Sequence, residues 1–166
     1  MKAPSPDSYK QQVVADMSEH YSTMVETGTY RGDMVWAQKG NFSNIYSVEL
    51  GEELYKRAVM RFIDTKHIRI FSGYSTDMLK TIVPTLGPAL FWLDAHWSGG
   101  NTAKGVTPCP LLEELDVILA TGVNHYLLID DARCFGTLNG FPTLDEIGSK
   151  IGTFKIENDI IRKDLR

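Results

Sequence analysis

Met24-Val25-Glu26-Thr27-Gly28-Thr29-Tyr30-Arg31-Gly32 is the stretch on which the fold turns. It reads as the end of a buried strand, a glycine turn and the opening of a helix. Gly28 and Gly32 let the backbone turn tightly and let a ligand approach the main chain. The helix that follows directs free N–H groups and a positive dipole end at the turn. Glu26, just before the turn, disfavours a phosphate ligand and favours one that carries an amine.

Outward from that turn the chain alternates strand and helix. Residues 22–26 form the first strand, and 33–39 continue the helix that the turn opens. Residues 44–49 make a second strand ending in Glu49, and 52–63 a helix with Leu54, Ala58 and Phe62 on one face. A third strand at 67–71 runs into the turn Ser72-Gly73, and the helix at 77–86 is interrupted by Pro84. Residues 88–94 are almost continuously apolar, as in a strand covered on both faces. The segment 95–110, with Gly99, Gly100, Gly105, Pro108 and Pro110, is a long loop of the kind that is functional or disordered. A helix at 111–120 and a fifth strand at 125–130 follow. After a second loop comes a helix at 143–151, where Thr143 and Glu146 have the spacing of a capping box. Residues 154–157 and 160–162 flank Asn158-Asp159 in a tight hairpin. Ahead of all this, 8–20 reads as a short amphipathic helix over one edge of the fold, with Val13, Val14 and Met17.

Such alternation implies a parallel sheet with helices on both faces. The expected fold is α/β and Rossmann-like, mostly parallel with a C-terminal antiparallel hairpin. It is expected as a single domain over 1–166, with 1–20 as an N-terminal arm and helix. A nicotinamide-type Rossmann domain is the competing reading. Its fingerprint is Gly-x-Gly-x-x-Gly, whereas Thr27-Gly28-Thr29-Tyr30-Arg31-Gly32 lacks the second glycine.

Composition bounds the function. Of 166 residues, 43% are apolar and 23% charged, as in an ordinary soluble protein. No apolar run reaches the ~18–20 residues of a membrane span, and the first ten residues lack the apolar centre of a secretory signal. A net charge of -4 lends no support to a nucleic-acid partner. Two cysteines, Cys109 and Cys134, make neither a disulfide framework nor a four-thiolate zinc site, and a cytoplasmic location is expected.

In an open α/β sheet the ligand sits beyond the carboxyl ends of the strands. Those ends carry Glu26, Glu49, Ser72-Gly73, Asp94 and Asp130-Asp131. Glu49, about 20 residues past the glycine turn, is placed to accept from both hydroxyls of a ribose. Gly73-Tyr74-Ser75-Thr76-Asp77 follows the third strand, where an adenine edge is read; simple helix initiation explains Tyr74, Ser75 and Asp77 equally. Asp94, Asp130 and Asp131 meet at the ends of adjacent strands. Three such acids repel one another and raise one another's pKa. A hard cation such as Mg²⁺ removes that conflict. The alternative is that one Asp caps a helix, another pairs with Arg133, and no metal binds. His20, His67 and His125 read as surface or edge residues, the cysteines as structural or incidental, and Trp36 and Trp92 as core.

Glu26-x-Gly28-x-x-x-Gly32 resembles the first motif of class I S-adenosylmethionine (SAM) methyltransferases. Leu93-Asp94-Ala95-His96-Trp97 and Asp130-Asp131 resemble the metal-dependent catechol O-methyltransferase group. The chain from Val25 to Arg162 is also similar to small bacterial SAM-dependent methyltransferases with a Leu-Asp-Ala-His-aromatic-Ser-Gly-Gly loop. The resemblance implies Asp94, Asp130 and Asp131 as metal ligands and His96 and Trp97 as neighbours of SAM. It implies Glu26, Gly28, Thr29 and Gly32 around the methionine part. Ala95 is an extra residue before His96, and Ser98 stands where the catechol enzymes carry a basic lysine.

The expected activity is SAM-dependent O-methylation of a small hydroxylated acceptor, with Mg²⁺ or another hard divalent cation. Asp94, His96 and Asp130 are the candidate catalytic residues, with His96 as general base. No nucleic acid or membrane is expected as partner, and a homodimer stays open. A non-catalytic SAM- or nucleoside-binding module is the rival, and a hydrolytic metalloenzyme a weaker third.

Overall fold

The structure, a computed structural model, describes residues 3–95 and 108–166. Its centre is a seven-stranded sheet in the order β3-β2-β1-β4-β5-β7-β6. The strands are β1 (Thr23–Thr27), β2 (Asn44–Glu49), β3 (Ile68–Ser72), β4 (Leu90–Leu93), β5 (Tyr126–Ile129), β6 (Lys155–Glu157) and β7 (Ile160–Asp164). The first five pair in parallel, β7 runs antiparallel to β5, and β6 to β7. Strand order therefore reverses between β1 and β4, and the crevice of an open parallel sheet lies at that point.

The helices are α1 (Asp7–Asp16), α2 (Asp33–Gln38), α3 (Glu52–Phe62), α4 (Ser75–Ile82), α5 (Leu111–Leu119) and α6 (Leu144–Ile151). Successive residues of β4 alternate between two cores. Phe91 and Leu93 pack with Leu79 of α4, Leu115 of α5 and Ile147 of α6. Leu90 and Trp92 pack with Val14 of α1, Val35 of α2 and Phe62 of α3. All four residues of β4 are buried, because helices cover both faces.

Local signals set the ends of several elements. Pro84 stops α4, which gives way to a short 3-10 turn over Val83–Thr85. Thr143 and Glu146 close a reciprocal capping box on α6. Asn158 and Asp159 both take positive φ, at 47° and 66°, as a tight hairpin between β6 and β7 requires. Among the described residues, no helix is long and apolar enough to cross a membrane.

Two packing expectations are corrected. Trp36 is 47% exposed, and the ammonium of Lys39 lies 3.5 Å from its ring centroid. On a helix of six residues the indole reaches the rim, where a cation stacks on it. His125 is fully buried rather than superficial. Its Nδ1 accepts from the Ala89 amide at 3.2 Å and its ring meets the Phe91 ring edge-on. It satisfies the backbone at the start of β4, and burial pushes its pKa down.

Candidate active site

The turn after β1 is fastened to β2. The amides of Gly28 and Thr29 both donate to the Val48 carbonyl at 3.0 Å, and the Gly32 amide closes the turn on the Thr29 carbonyl at 2.8 Å. Gly28 and Gly32 have φ of 91° and 76°, which L side chains rarely adopt. The space beside each is taken by the chain itself. A Cβ on Gly28 would lie 2.6 Å from the carbonyl oxygen of Asp94, and one on Gly32 would lie 2.9 Å from the ring of Phe62. The glycines let β4 and α3 approach the turn. The helix α2 has only six residues, so its dipole is short as well.

Glu26 and Ser47 are register partners on β1 and β2, both buried. Ser47 Oγ donates to Glu26 Oε2, and Thr29 Oγ1 lies 2.6 Å from Ser47 Oγ. Burial pushes the Glu26 carboxyl up to about 8; Ser47 opposes the rise, and the charges of Asp94 and Glu49 add to it. A buried carboxyl with a raised pKa at a strand end is a candidate for a functional group. A cation brought beside it would complete an ion pair.

Glu49 closes the next position along the sheet. Its Oε2 accepts from the Tyr30 amide at 2.7 Å and its Oε1 from the Gly51 amide at 2.8 Å. Each carboxylate oxygen keeps a second lone pair, so the group is oriented and still able to accept from a diol. The Gly73 amide donates to the Glu49 carbonyl at 3.0 Å, which brings the turn after β3 alongside. Ser75 is buried at the first position of α4.

On the other side of the crevice, the Asp94 amide donates to the Thr27 carbonyl at 3.1 Å and lies 3.3 Å from Thr27 Oγ1. That hydroxyl in turn lies 3.5 Å from Oε2 of the buried Glu114. The Asp94 side chain is half-buried at the β4 end. His96 and Trp97 lie outside the described residues.

Asp130 and Asp131 follow β5. Asp130 is 2% exposed. Its Oδ1 accepts from the Asp131 amide at 2.8 Å, and its Oδ2 lies 2.5 Å from the ammonium of Lys10 on α1. Burial raises the Asp130 pKa to about 7, helped by Asp94 and Asp131 and opposed by Lys10. Asp131 takes φ of 58° and pairs with Arg133 at 2.6 Å, with Lys10 at 3.8 Å. Arg133 also pairs with Asp159 at the hairpin tip.

Oxygen donors are chemically right for a hard cation. The arrangement is not: among the described residues, no group of three His, Cys, Asp or Glu side chains converges to hold a metal. The charge conflict between the acids, which called for a metal at the level of sequence, is offset in part by Lys10 and Arg133. Among the described residues, Asp94, Asp130 and Asp131 lend no support to the expected Mg²⁺ site.

Three residues of the site escaped sequence reasoning. Ser47 carried a signal, since it shares the strand face of Glu49. Lys10 carried one too, standing a helical turn before the buried Val13 and Val14 and hence on their stripe. Glu114 had none beyond its place in an amphipathic helix.

No protein-family model matches the sequence, and no curated protein matches it. Solved structures do match. The O-methyltransferase from Bacillus cereus, in complex with S-adenosylhomocysteine (SAH), superposes with a TM-score of 0.67 at 14% identity, over 99% of this chain and 83% of that one. The SAH-bound methyltransferase PaMTH1 of Podospora anserina gives 0.66 at 14%, over 95% and 76%. This is a class I methyltransferase fold. The O-methyltransferase TomG of Streptomyces achromogenes, involved in tomaymycin synthesis and bound to SAM, gives 0.60 at 13% identity, over 77% of this chain. The chain spans 57% of TomG's length. Identities this low establish the class I methyltransferase architecture and leave the chemistry to the residues.

Proposed function

We propose that the chain is a SAM-dependent methyltransferase acting on the oxygen of a small hydroxylated acceptor. The observation that carries this is the row of acids at the carboxyl ends of β2, β1 and β4, beside the point where strand order reverses. Buried Glu26 and backbone-oriented Glu49 stand there where a ligand with an amine at one end and a ribose diol further along would be held. In this reading Glu26, with Thr29 and the Gly28–Gly32 turn, takes the methionine end. Glu49 takes the ribose, and Gly73 and Ser75 border the adenine.

Transfer is an in-line displacement. The acceptor oxygen forms a bond to the methyl carbon as the carbon–sulfur bond breaks, and that electron pair stays on sulfur, giving neutral SAH. The hydroxyl proton passes to a base, for which His96 is proposed, and then to water. Holding the two reactants in line supplies much of the rate. No step in this proposal needs a metal on Asp94, Asp130 or Asp131.

The test is turnover of radiolabelled methyl-SAM with a panel of catechols, vicinal diols and sugars. Label is expected on oxygen with at least one class. SAH binding with no transfer to any of them would favour the rival reading, a SAM-binding module without chemistry.

A further inference from the structure

The N-terminal helix is fastened by contacts made on either side of Lys10, whose ammonium reaches the acids after β5. Val13 and Val14 of α1 are buried in the core beneath it. Gln38 of α2 donates its side-chain amide to the Gln11 carbonyl at 2.8 Å. Arg162 of β7 donates to the Tyr9 hydroxyl at 3.0 Å, and Ser5 donates to the Asn158 carbonyl at the hairpin tip. Lys10 is thus flanked on both sides by residues tied to other elements.

The Lys10 side chain is 13% exposed and that of Asp130 is 1% exposed. An ammonium carries three donors. Among the described residues, hydrogen-bonding distance holds for one acceptor, Asp130 Oδ2. The neighbouring negative charges on Lys10 are Asp130, Asp131 and Asp94, the acids that end β4 and β5.

Resting on the methyltransferase reading above, we infer that Lys10 is the cation of the acceptor site. Its ammonium, held by Asp130, hydrogen-bonds the acceptor oxygen that receives the methyl group, and transfer proceeds without a divalent metal. Lys10 neither gains nor loses a proton in the step. It fixes the oxygen and stabilises negative charge growing on it as the hydroxyl proton leaves. An ammonium does this as a point charge that accepts no further ligands. A metal ion would do it through open coordination positions. Two cations on one buried carboxylate would repel each other at short range, so Lys10 and a divalent ion are alternatives at Asp130.

The test has an arm that needs no known acceptor. Mn²⁺ is titrated into the full chain in the presence of SAH, and free Mn²⁺ is followed by electron paramagnetic resonance. The parent chain should bind no Mn²⁺ more tightly than about 1 mM, and Lys10→Met should bind at least about tenfold more tightly than the parent. Parent binding tighter than about 100 µM would overturn the inference. The second arm uses any acceptor found active. EDTA should leave parent turnover unchanged. Lys10→Met should lose about 100-fold in kcat/KM for the acceptor with an unchanged KM for SAM, and Lys10→Arg should recover most of it. Turnover stopped by EDTA and restored by Mg²⁺ overturns the inference, as does an active Lys10→Met. If Lys10→Met fails to fold, the parent titration, the chelator and Lys10→Arg still decide. Failure of SAH to bind the parent would count against the methyltransferase reading itself, and the Mn²⁺ titration without SAH would still report on Lys10.

Discussion

Replacing Gly28 with alanine should cost about 3 kcal/mol of stability and at least about 100-fold in affinity for SAH. Two effects add. An L residue at φ of 91° is strained by about 1–2 kcal/mol. The new Cβ would also lie 2.6 Å from the Asp94 carbonyl oxygen, which is backbone and so cannot swing away as a flexible side-chain tip would. The β4 end must then move, and with it Asp94, opposite Glu26 in the crevice. At this size each kcal/mol shifts the melting temperature by about 2–4 °C, so a drop of about 6–12 °C is expected. Thermal melting and calorimetry with SAH check both halves. A variant that melts with the parent and binds SAH as tightly would show that the approach of Asp94 to Gly28 is incidental.

The second large effect is on pH dependence. Glu26 is held at about 8 against an ordinary 4.5, by burial first and then by Asp94 and Glu49, with Ser47 opposing. A raised carboxyl pKa means that the folded chain holds a proton the unfolded chain has lost. Its contribution to stability therefore falls as pH rises from the unfolded value through the folded one. The same proton stands in the way of the ligand's ammonium, which needs the carboxylate. SAH affinity should climb between about pH 6 and pH 8, by up to about tenfold per unit, and level off above. Binding below pH 8 should release a proton, visible as a binding enthalpy that depends on the buffer. Glu26→Gln should remove the slope and bind about 10–100-fold more weakly at pH 8. An affinity flat from pH 6 to 8 in the parent, or an unchanged slope in Glu26→Gln, would take the amine away from Glu26.

Much of the architecture was legible because its signals are local. The apolar run at 88–94 needed both faces covered, and β4 is buried on both. Thr143 with Glu146, Pro84, and Asn158-Asp159 each act within a few residues, and each ends or turns an element where expected. Glu26, Glu49, Asp94 and Asp130 were legible as strand-end acids, since a strand ends where its apolar run does. What those acids touch was not. Lys10 lies 120 residues from Asp130 in the chain, and no spacing rule links an N-terminal helix to the strand end its side chain reaches. The metal was inferred from three acids in mutual repulsion, and the compensating charge came instead from a distant helix and a neighbouring arginine. The conformational freedom of Gly28 and Gly32 was legible, whereas the approach of Asp94 and Phe62 beside them was not. His125 and Trp36 were misplaced for a similar reason: polarity and size suggest a depth, and packing decides it.

The central claim is that SAM lies across the β1 turn, in the crevice between β1 and β4. The most direct test is a crystal structure of the full chain with SAH. The account predicts the amine of SAH within hydrogen-bonding distance of Glu26, and its ribose hydroxyls on Glu49. SAH bound on another face of the sheet, or in this crevice with its ribose away from Glu49, would contradict it.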